Sequence, residues 1–263
     1  MISIIIPTYR NPEYLDLCLF SAIDQQHNKN EIIVAVDGFI EESQEVLDKY
    51  KKDIKILDLG ENQGMQMALN LAVMNATNEK IFIVNDDNVF CKDFDLEIEQ
   101  EFGEGIVLTI NQIEPTGPGI FNFPVKDLGR NPKEFKYKEF IKYEKSIREN
   151  TLSPGGGIFP FAMYKKYYMA VGGFDTMYQS PFICDWDFFL KLELIGLDFA
   201  RTKNTHLYHF GSTATKNGNE GEKFKATEEP AAQMFIYKWG MPPQIFENNS
   251  HAPRGSMIKG IKF

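Results

Sequence analysis

The stretch ISIIIPTYRNPEYLDLCLFSA, residues 2–22, decides the fold. Ile2 to Ile6 is a short, apolar, β-branched run stopped by Pro7, the pattern of a strand buried on both faces. Asn11, Pro12 and Glu13 then supply an N-cap, a first-turn proline and an acid suited to the positive end of a helix dipole. Tyr14, Leu17, Cys18, Ser21 and Ala22 fall on one face of the helix that follows. The same rhythm continues downstream. Glu31 to Val36 reads as a second strand stopping at Asp37-Gly38, before a polar helical stretch from about Glu41 to Lys51. A strand from Ile54 to Leu59, a helix from Gly64 to Ala76 and a strand from Ile81 to Val84 complete the alternation. Strands and helices alternating at this spacing predict an α/β fold, a Rossmann-like, mostly parallel sheet flanked by helices.

Beyond about Asn111 the alternation breaks into Pro- and Gly-bearing segments. Arg130 to Asn150 carries seven basic and four acidic residues and reads as a solvated helix. A second organised part follows: TLSPGGGIFPF, a helix around Tyr164 to Val171, the turn GGFD, a helix beginning near Asp185, and a strand ending in HLYHFG. The last forty or so residues are rich in Gly, Pro and Asn around one aromatic segment, FIYKWG. No internal repeat is present.

The chain has 263 residues, 43% of them hydrophobic, enough to bury a sizeable core and to set aside disorder, collagen and coiled coil. Its formal charge of -9 removes the general attraction to phosphate backbones, so nucleic acid is not an expected partner. Cys18, Cys91 and Cys184 are odd in number and widely spaced, which argues against a disulfide framework and a structural zinc site. The N-terminus lacks the basic and apolar regions of a secretory signal, and the uncharged run from Thr151 to Tyr164 is too short and too Pro- and Gly-rich to span a bilayer. The expected location is cytoplasmic, with a peripheral position at a membrane surface left open.

In an open parallel sheet, ligands bind outside the carboxyl ends of the strands. Three polar clusters stand there: Thr8-Tyr9-Arg10, Asp37-Gly38 and Asn85-Asp86-Asp87-Asn88. Any one of them alone is more commonly a turn or a helix cap. Together they point to a site. Adjacent carboxylates are costly unless neutralised, and a hard divalent ion that also holds a diphosphate would neutralise them.

At this point the residues resemble the inverting family 2 glycosyltransferases with the GT-A fold. IIIPTYRN looks like their first strand and loop, IIVAVDG like the second strand with its base-contacting Asp, and LGENQGMQMALN like the segment before the next helix. FIVNDDNVF resembles their D-x-D metal motif. SPGGGIFPFAMYKKYYMAVGGFD is similar to the acceptor-side loop, helix and turn, CDWDFFLKL to the segment bearing the catalytic carboxylate, and HLYHFG and YKWG to the late histidine and C-terminal helix. The order and spacing carry the likeness.

The resemblance implies that Pro7, Thr8, Tyr9 and Arg10 line the nucleotide, that Asp37 accepts a hydrogen bond from the base imide, and that Asn62, Gly64 and Asn70 continue the donor pocket. Asp87 would be the first metal ligand, for Mn²⁺ or Mg²⁺, with Asp86 beside it contacting ribose or water. Asn85 stands where one alignment puts the first Asp of the motif. His209 would complete the metal or diphosphate site. Read alone, it is more commonly a hydrogen-bonded structural histidine, and His206, three residues away on a strand, would face the other side. Asp185 would be the general base, a helix N-cap being the plainer reading. Cys184 replaces the Glu that many members place before it. Gly156, Gly157 and Trp186 would border the acceptor, and Lys216, in a polar loop, would meet phosphate if that loop is more than a linker.

The implied layout is a GT-A domain over 1–215, with a nucleotide-sugar-binding half at 1–110 and an acceptor-binding half at 111–215. A flexible loop and C-terminal extension at 216–263 would pack on it. The implied activity is metal-dependent, inverting transfer of a single sugar from a nucleotide-diphosphate sugar to a glycan, lipid-linked or protein hydroxyl. The absence of a Q-x-x-R-W motif disfavours a processive synthase. The alternatives are a sugar nucleotidyltransferase, though PTYRNPEY is not its glycine-rich loop, and a catalytically silent carbohydrate-binding module.

Overall fold

A computed structural model describes residues 1–101, 103–117, 123–181, 183–211 and 218–243. The first four strands are parallel neighbours: β1 (Ser3–Thr8), β2 (Glu31–Val36), β3 (Lys55–Asp58) and β4 (Lys80–Ile83). Between them run α1 (Pro12–Gln25), α2 (Ile40–Tyr50) and α3 (Met65–Asn75). β1 to β3 advance one way along the sheet and β4 returns to the other side of β1. With right-handed crossovers, that reversal puts α1 and α2 on one face and α3 on the other. Ile4, Ile5 and Ile6 are accordingly buried from both sides. α1 buries Leu15, Cys18, Leu19, Ser21 and Ala22, while Tyr14 and Leu17 are only partly covered.

The second half is mixed. After the two-residue β5 (Asn88–Val89) and α4 (Phe94–Glu101) come β6 (Ile106–Ile113), α5 (Tyr137–Ile147), β7 (Leu152–Pro154) and β8 (Phe161–Tyr164). They are followed by α6 (Lys165–Ala170), α7 (Cys184–Leu194), β9 (Asp198–His209) and α8 (Gly218–Trp239). The sheet order is β3-β2-β1-β4-β8-β6-β9-β5, with β7 on β9. β8 runs antiparallel between β4 and β6, and β6 pairs parallel with β9. Ile110 pairs with Thr202 but Asn111 pairs with His206, so Lys203, Asn204 and Thr205 bulge out of that ladder.

Three expectations change. The charged stretch 130–150 is helical only over Tyr137–Ile147, and it is not solvated all round: Phe140 and Glu144 are buried. Asn11 precedes α1 but makes no side-chain cap. The C-terminal part contains a 22-residue helix, in spite of Pro230 inside it. Ala231 and Phe235 are buried at i, i+4 spacing and Trp239 continues that stripe, so packing overrides poor local propensity. None of the described helices is long and apolar enough to cross a membrane.

Candidate active site

The site lies where the sheet order reverses, at the carboxyl ends of β1 and β4. Thr8, the last residue of β1, donates its hydroxyl to Asp86 Oδ2 at 2.7 Å, and Asn11 donates Nδ2–H to Asp86 Oδ1 at 3.0 Å. Asn11 thus serves the carboxylate, not the helix start. Each oxygen of Asp86 accepts one bond from a protein group, which leaves a further acceptor site on each. Burial raises its pKa to about 7, with Asp87 pushing the same way and the two hydrogen bonds pulling back.

Asp87 is placed by the strand pairing that follows it. Asn88 pairs with His209 and Val89 with Tyr208, which turns the end of β9 toward Asp87. The Phe210 N–H donates to the Asp87 carbonyl at 3.3 Å. His209 Nε2 then stands 3.6 Å from Asp87 Oδ1, too far for a hydrogen bond. Two ligand atoms each about 2.1 Å from one ion stand roughly 3–4 Å apart, so this pair fits a divalent ion as two of its ligands. Among the described residues no group of three or more His, Cys, Asp or Glu side chains could hold a metal.

His209 Nδ1 lies 3.2 Å from Glu114 Oε1, just past the end of β6. A carboxylate on the far nitrogen of a metal-binding imidazole fixes its tautomer and orientation. Sequence reasoning missed Glu114. His206 belongs elsewhere: it is buried, with Nδ1 3.6 Å from Glu144 of α5. The expectation that the two histidines serve different faces holds.

At the end of β2, Asp37 Oδ1 accepts the backbone N–H groups of Gln63 at 2.6 Å and Gly64 at 3.2 Å. Burial raises its pKa and those two bonds oppose the rise. Gly38 is needed here: at φ 83° a Cβ would sit 2.7 Å from the Asn62 backbone nitrogen. Asn62 Oδ1 accepts a second bond from Gly64 N–H at 3.1 Å. Arg10 and Phe39 are both left-handed, at φ 52° and 55°, a conformation costing on the order of 1–3 kcal/mol in bulky residues and concentrated at functional sites. The Arg10 guanidinium lies 4.6 Å over the Phe39 ring, and Tyr9 meets that ring edge-on. Pro7 is the partly covered residue between Ile6 and Thr8.

Asn70 does something other than expected. Its Oδ1 accepts the Tyr168 hydroxyl at 2.7 Å and the Phe174 N–H at 2.8 Å, and its Nδ2 donates to the Phe174 carbonyl at 2.8 Å. The amide braces the GGFD turn. Gln66 likewise donates to the Ser180 carbonyl at 2.9 Å, so α3 is tied to the segment ahead of α7. Gly156 and Gly157 are buried: a Cβ at Gly156 would lie 2.6 Å from Thr109 Oγ1, and Gly157 donates to that same hydroxyl at 3.2 Å. These glycines allow close packing and do not open a surface for an acceptor. Trp186 is partly exposed in the first turn of α7, packed on the core.

Asp185 also lies in that first turn, preceded by the cap residue Ile183 and by Cys184, so it is not the N-cap. Its Oδ1 accepts the Trp186 N–H at 2.9 Å. Burial raises its pKa to about 7, opposed by backbone N–H groups. That value suits a general base near neutral pH. Lys216 lies outside the described residues.

A sheet switching from parallel to mixed, with acids at the carboxyl ends of β2 and β4 beside the polar end of β1, is the architecture of the GT-A glycosyltransferases. The solved mannosyltransferase PcManGT of Pyrobaculum calidifontis, in complex with GDP-Man and Mn²⁺, aligns over 95% of this chain and 68% of its own at a TM-score of 0.62 and 15% identity. Staphylococcus aureus TarS 1-349 aligns over 95% of this chain and 81% of its own at a TM-score of 0.58 and 15% identity. The chain belongs to glycosyl transferase family 2, whose profile matches residues 3–171, a span ending before Asp185 and His209. An uncharacterized glycosyltransferase of Haemophilus influenzae is 24% identical over 73% of this chain and 62% of its own length. The putative teichuronic acid biosynthesis glycosyltransferase TuaG of Bacillus subtilis is 30% identical over 39% of this chain and 41% of its own. The chain thus spans less than two thirds of these relatives. Family membership replaces the nucleotidyltransferase and binding-module alternatives.

Proposed function

We propose that the protein transfers a single sugar, with inversion, from a nucleotide-diphosphate sugar to a hydroxyl acceptor with the help of Mn²⁺ or Mg²⁺. The observation that carries this reading is the Asp86-Asp87 pair: Asp86 is fixed by Thr8 and Asn11, while Asp87 and His209 Nε2 face each other at 3.6 Å. The Mn²⁺ in the PcManGT complex and in the GalNAc-T7 complex with UDP and GalNAc supports it. So does the binding of UDP-GlcNAc by TarS.

In this reading the donor half is 1–110, the acceptor half 111–215, and the segment from 216 an extension of the same domain. Asp37 keeps Oδ1 on the Gln63 and Gly64 N–H groups and offers Oδ2 to the imide N–H of the base. Tyr9, Arg10, Pro7, Asn62 and Gly64 border the nucleotide. Asp87 and His209 would hold the ion, whose chemistry when bound would be Lewis-acid compensation of charge on the diphosphate. Asp185 takes the proton from the acceptor hydroxyl as its oxygen bonds the anomeric carbon and the bond to the diphosphate breaks on the opposite face. Attack from the face opposite the leaving group inverts the configuration. A glycan, a lipid-linked sugar or a protein hydroxyl would satisfy this chemistry, in a cytoplasmic or membrane-peripheral setting.

Thermal stabilisation by UDP, GDP, TDP and CMP, with and without Mn²⁺, identifies the donor class, because binding to the native state raises apparent stability. The matching nucleotide sugars are then assayed for hydrolysis and transfer. Absence of any nucleotide-induced shift together with absence of turnover would end the proposal.

A further inference from the structure

Asp187 lies two residues past Asp185 on α7, with 0% exposure. Its Oδ1 receives the Trp239 indole N–H at 2.8 Å, the Lys238 ammonium at 2.8 Å and the Tyr178 hydroxyl at 3.3 Å. Lys191, one helical turn on, stands 3.6 Å from Oδ2. Lys238 also donates to Asp175 of the GGFD turn at 2.7 Å, and Lys191 donates to the Gly173 carbonyl at 2.5 Å. One carboxylate therefore joins the end of α8, the GGFD turn and the first turns of α7.

Stability alone does not call for this arrangement. Burying a carboxylate costs several kcal/mol before its partners compensate, and an apolar side chain in its place is commonly neutral or better. α7 already buries Phe188, Phe189, Leu190 and Leu192 without it. What a charge at 187 adds is direction: only one placement of α7 satisfies all its donors. Asp185 gains from that help, because the hydrogen bonds described for its side chain come from backbone N–H groups of its own helix, those of Trp186 and of Asp185 itself. Asn70 and Gln66 extend the same connection to α3, whose start adjoins the Asp37 loop.

We propose that Asp187 is a positioning residue, locking α7 to Trp239 and Lys238 so that the Asp185 carboxylate meets the acceptor hydroxyl. The inference rests on the reading of Asp185 as the general base. It makes the last residues of α8 part of the catalytic apparatus although they lie beyond the family-matched span.

The test uses Asp187→Asn, Trp239→Phe, Lys238→Met and Lys238→Arg in the full chain, with UDP-N-acetylglucosamine and GDP-mannose as donors and Mn²⁺ present. The first three should lower kcat about 10- to 100-fold while KM for the donor and Kd for the matching diphosphate stay within about twofold, and Lys238→Arg should recover most of the loss. Amide hydrogen exchange should quicken in residues 183–194 of Trp239→Phe and stay unchanged in residues 3–8. Unchanged kcat, or kcat and donor affinity falling together, would overturn the positioning role. So would unchanged exchange in 183–194. If the wild-type chain turns over neither donor, the reading of Asp185 fails with these sugars, and the exchange experiment still decides whether Asp187 organises α7.

Discussion

The two halves of the molecule hold their acids in different ways. On the parallel side, Asp86 and Asp37 are fixed by their own hydrogen bonds, from Thr8 and Asn11 in one case and from the Gln63 and Gly64 N–H groups in the other. On the mixed side, the hydrogen bonds described for Asp185 come from backbone N–H groups of its own helix, so it takes its position from how that helix is packed. A group that must bind the same ligand atoms every cycle gains from fixed partners. A base that must gain and release a proton is better held through its neighbours, because each hydrogen bond to its charged form lowers its pKa. Burial raises both Asp86 and Asp185 to about 7, so the two sites differ in what fixes the carboxylate and not in its acidity.

The largest effect should come from Asp185→Asn: kcat falls by about 10²–10⁴ while the calorimetric Kd for the nucleotide diphosphate changes less than twofold. In the parent enzyme the active form is the carboxylate, so log kcat should rise with unit slope as pH increases toward about 7 and level off above it. A flat pH profile would break the comparison on its catalytic side. Next, Glu114→Gln should weaken Mn²⁺-dependent nucleotide binding about 10- to 100-fold by freeing the His209 ring, read as Kd for Mn²⁺ at fixed nucleotide. Asp37→Asn keeps an acceptor for the backbone N–H groups but offers N–H to the base N–H, so nucleotide Kd should rise about 10-fold with circular dichroism unchanged.

The smallest effect concerns stability. Asp185 ionises less readily folded than unfolded, so its contribution is fully present below its unfolded value of 3.8 and is lost as pH rises through about 7. Asp185→Asn removes that loss, and its Tm should exceed the parent's by a few °C at pH 8 but not at pH 4. Equal Tm values at both pH values would mean that the carboxylate is solvated, against the second half of the comparison.

The parallel half was legible because each device there is local. Ile2 to Ile6 followed by Pro7, and Glu31 to Val36 followed by Asp37-Gly38, mark both the strand and the end at which ligands gather. The Asp86-Asp87 pair stood out because adjacent acids are costly. What could not be read depends on distant pairing. Glu114 reaches His209 across 95 residues of sequence, through the β6–β9 ladder. Asn11 carried a clear capping signal, yet its side chain makes no cap and donates Nδ2–H to the buried Asp86 carboxylate. Asn70 sat where the resemblance expects a donor contact and instead braces a turn 104 residues away. The likeness of YKWG to a C-terminal helix marked the end of α8, but Pro230 and the glycines before it hid the helix's length, which rests on burial of residues such as Phe235.

The bulge in β9 has a consequence for how this strand can change over evolutionary time. Lys203, Asn204 and Thr205 leave the ladder between two paired stretches and are held from outside it, Lys203 by the backbone of Glu149 and Thr151 and Asn204 by Glu97. A residue gained or lost among these three can be absorbed there, leaving both flanking ladders in register. Between His206 and His209 there is no such slack. Because side chains alternate along a strand, a single insertion or deletion in those four positions would turn His209 away from Asp87 and bring a neighbour into its place. One strand thus contains a segment free to vary in length beside another in which length is the constraint.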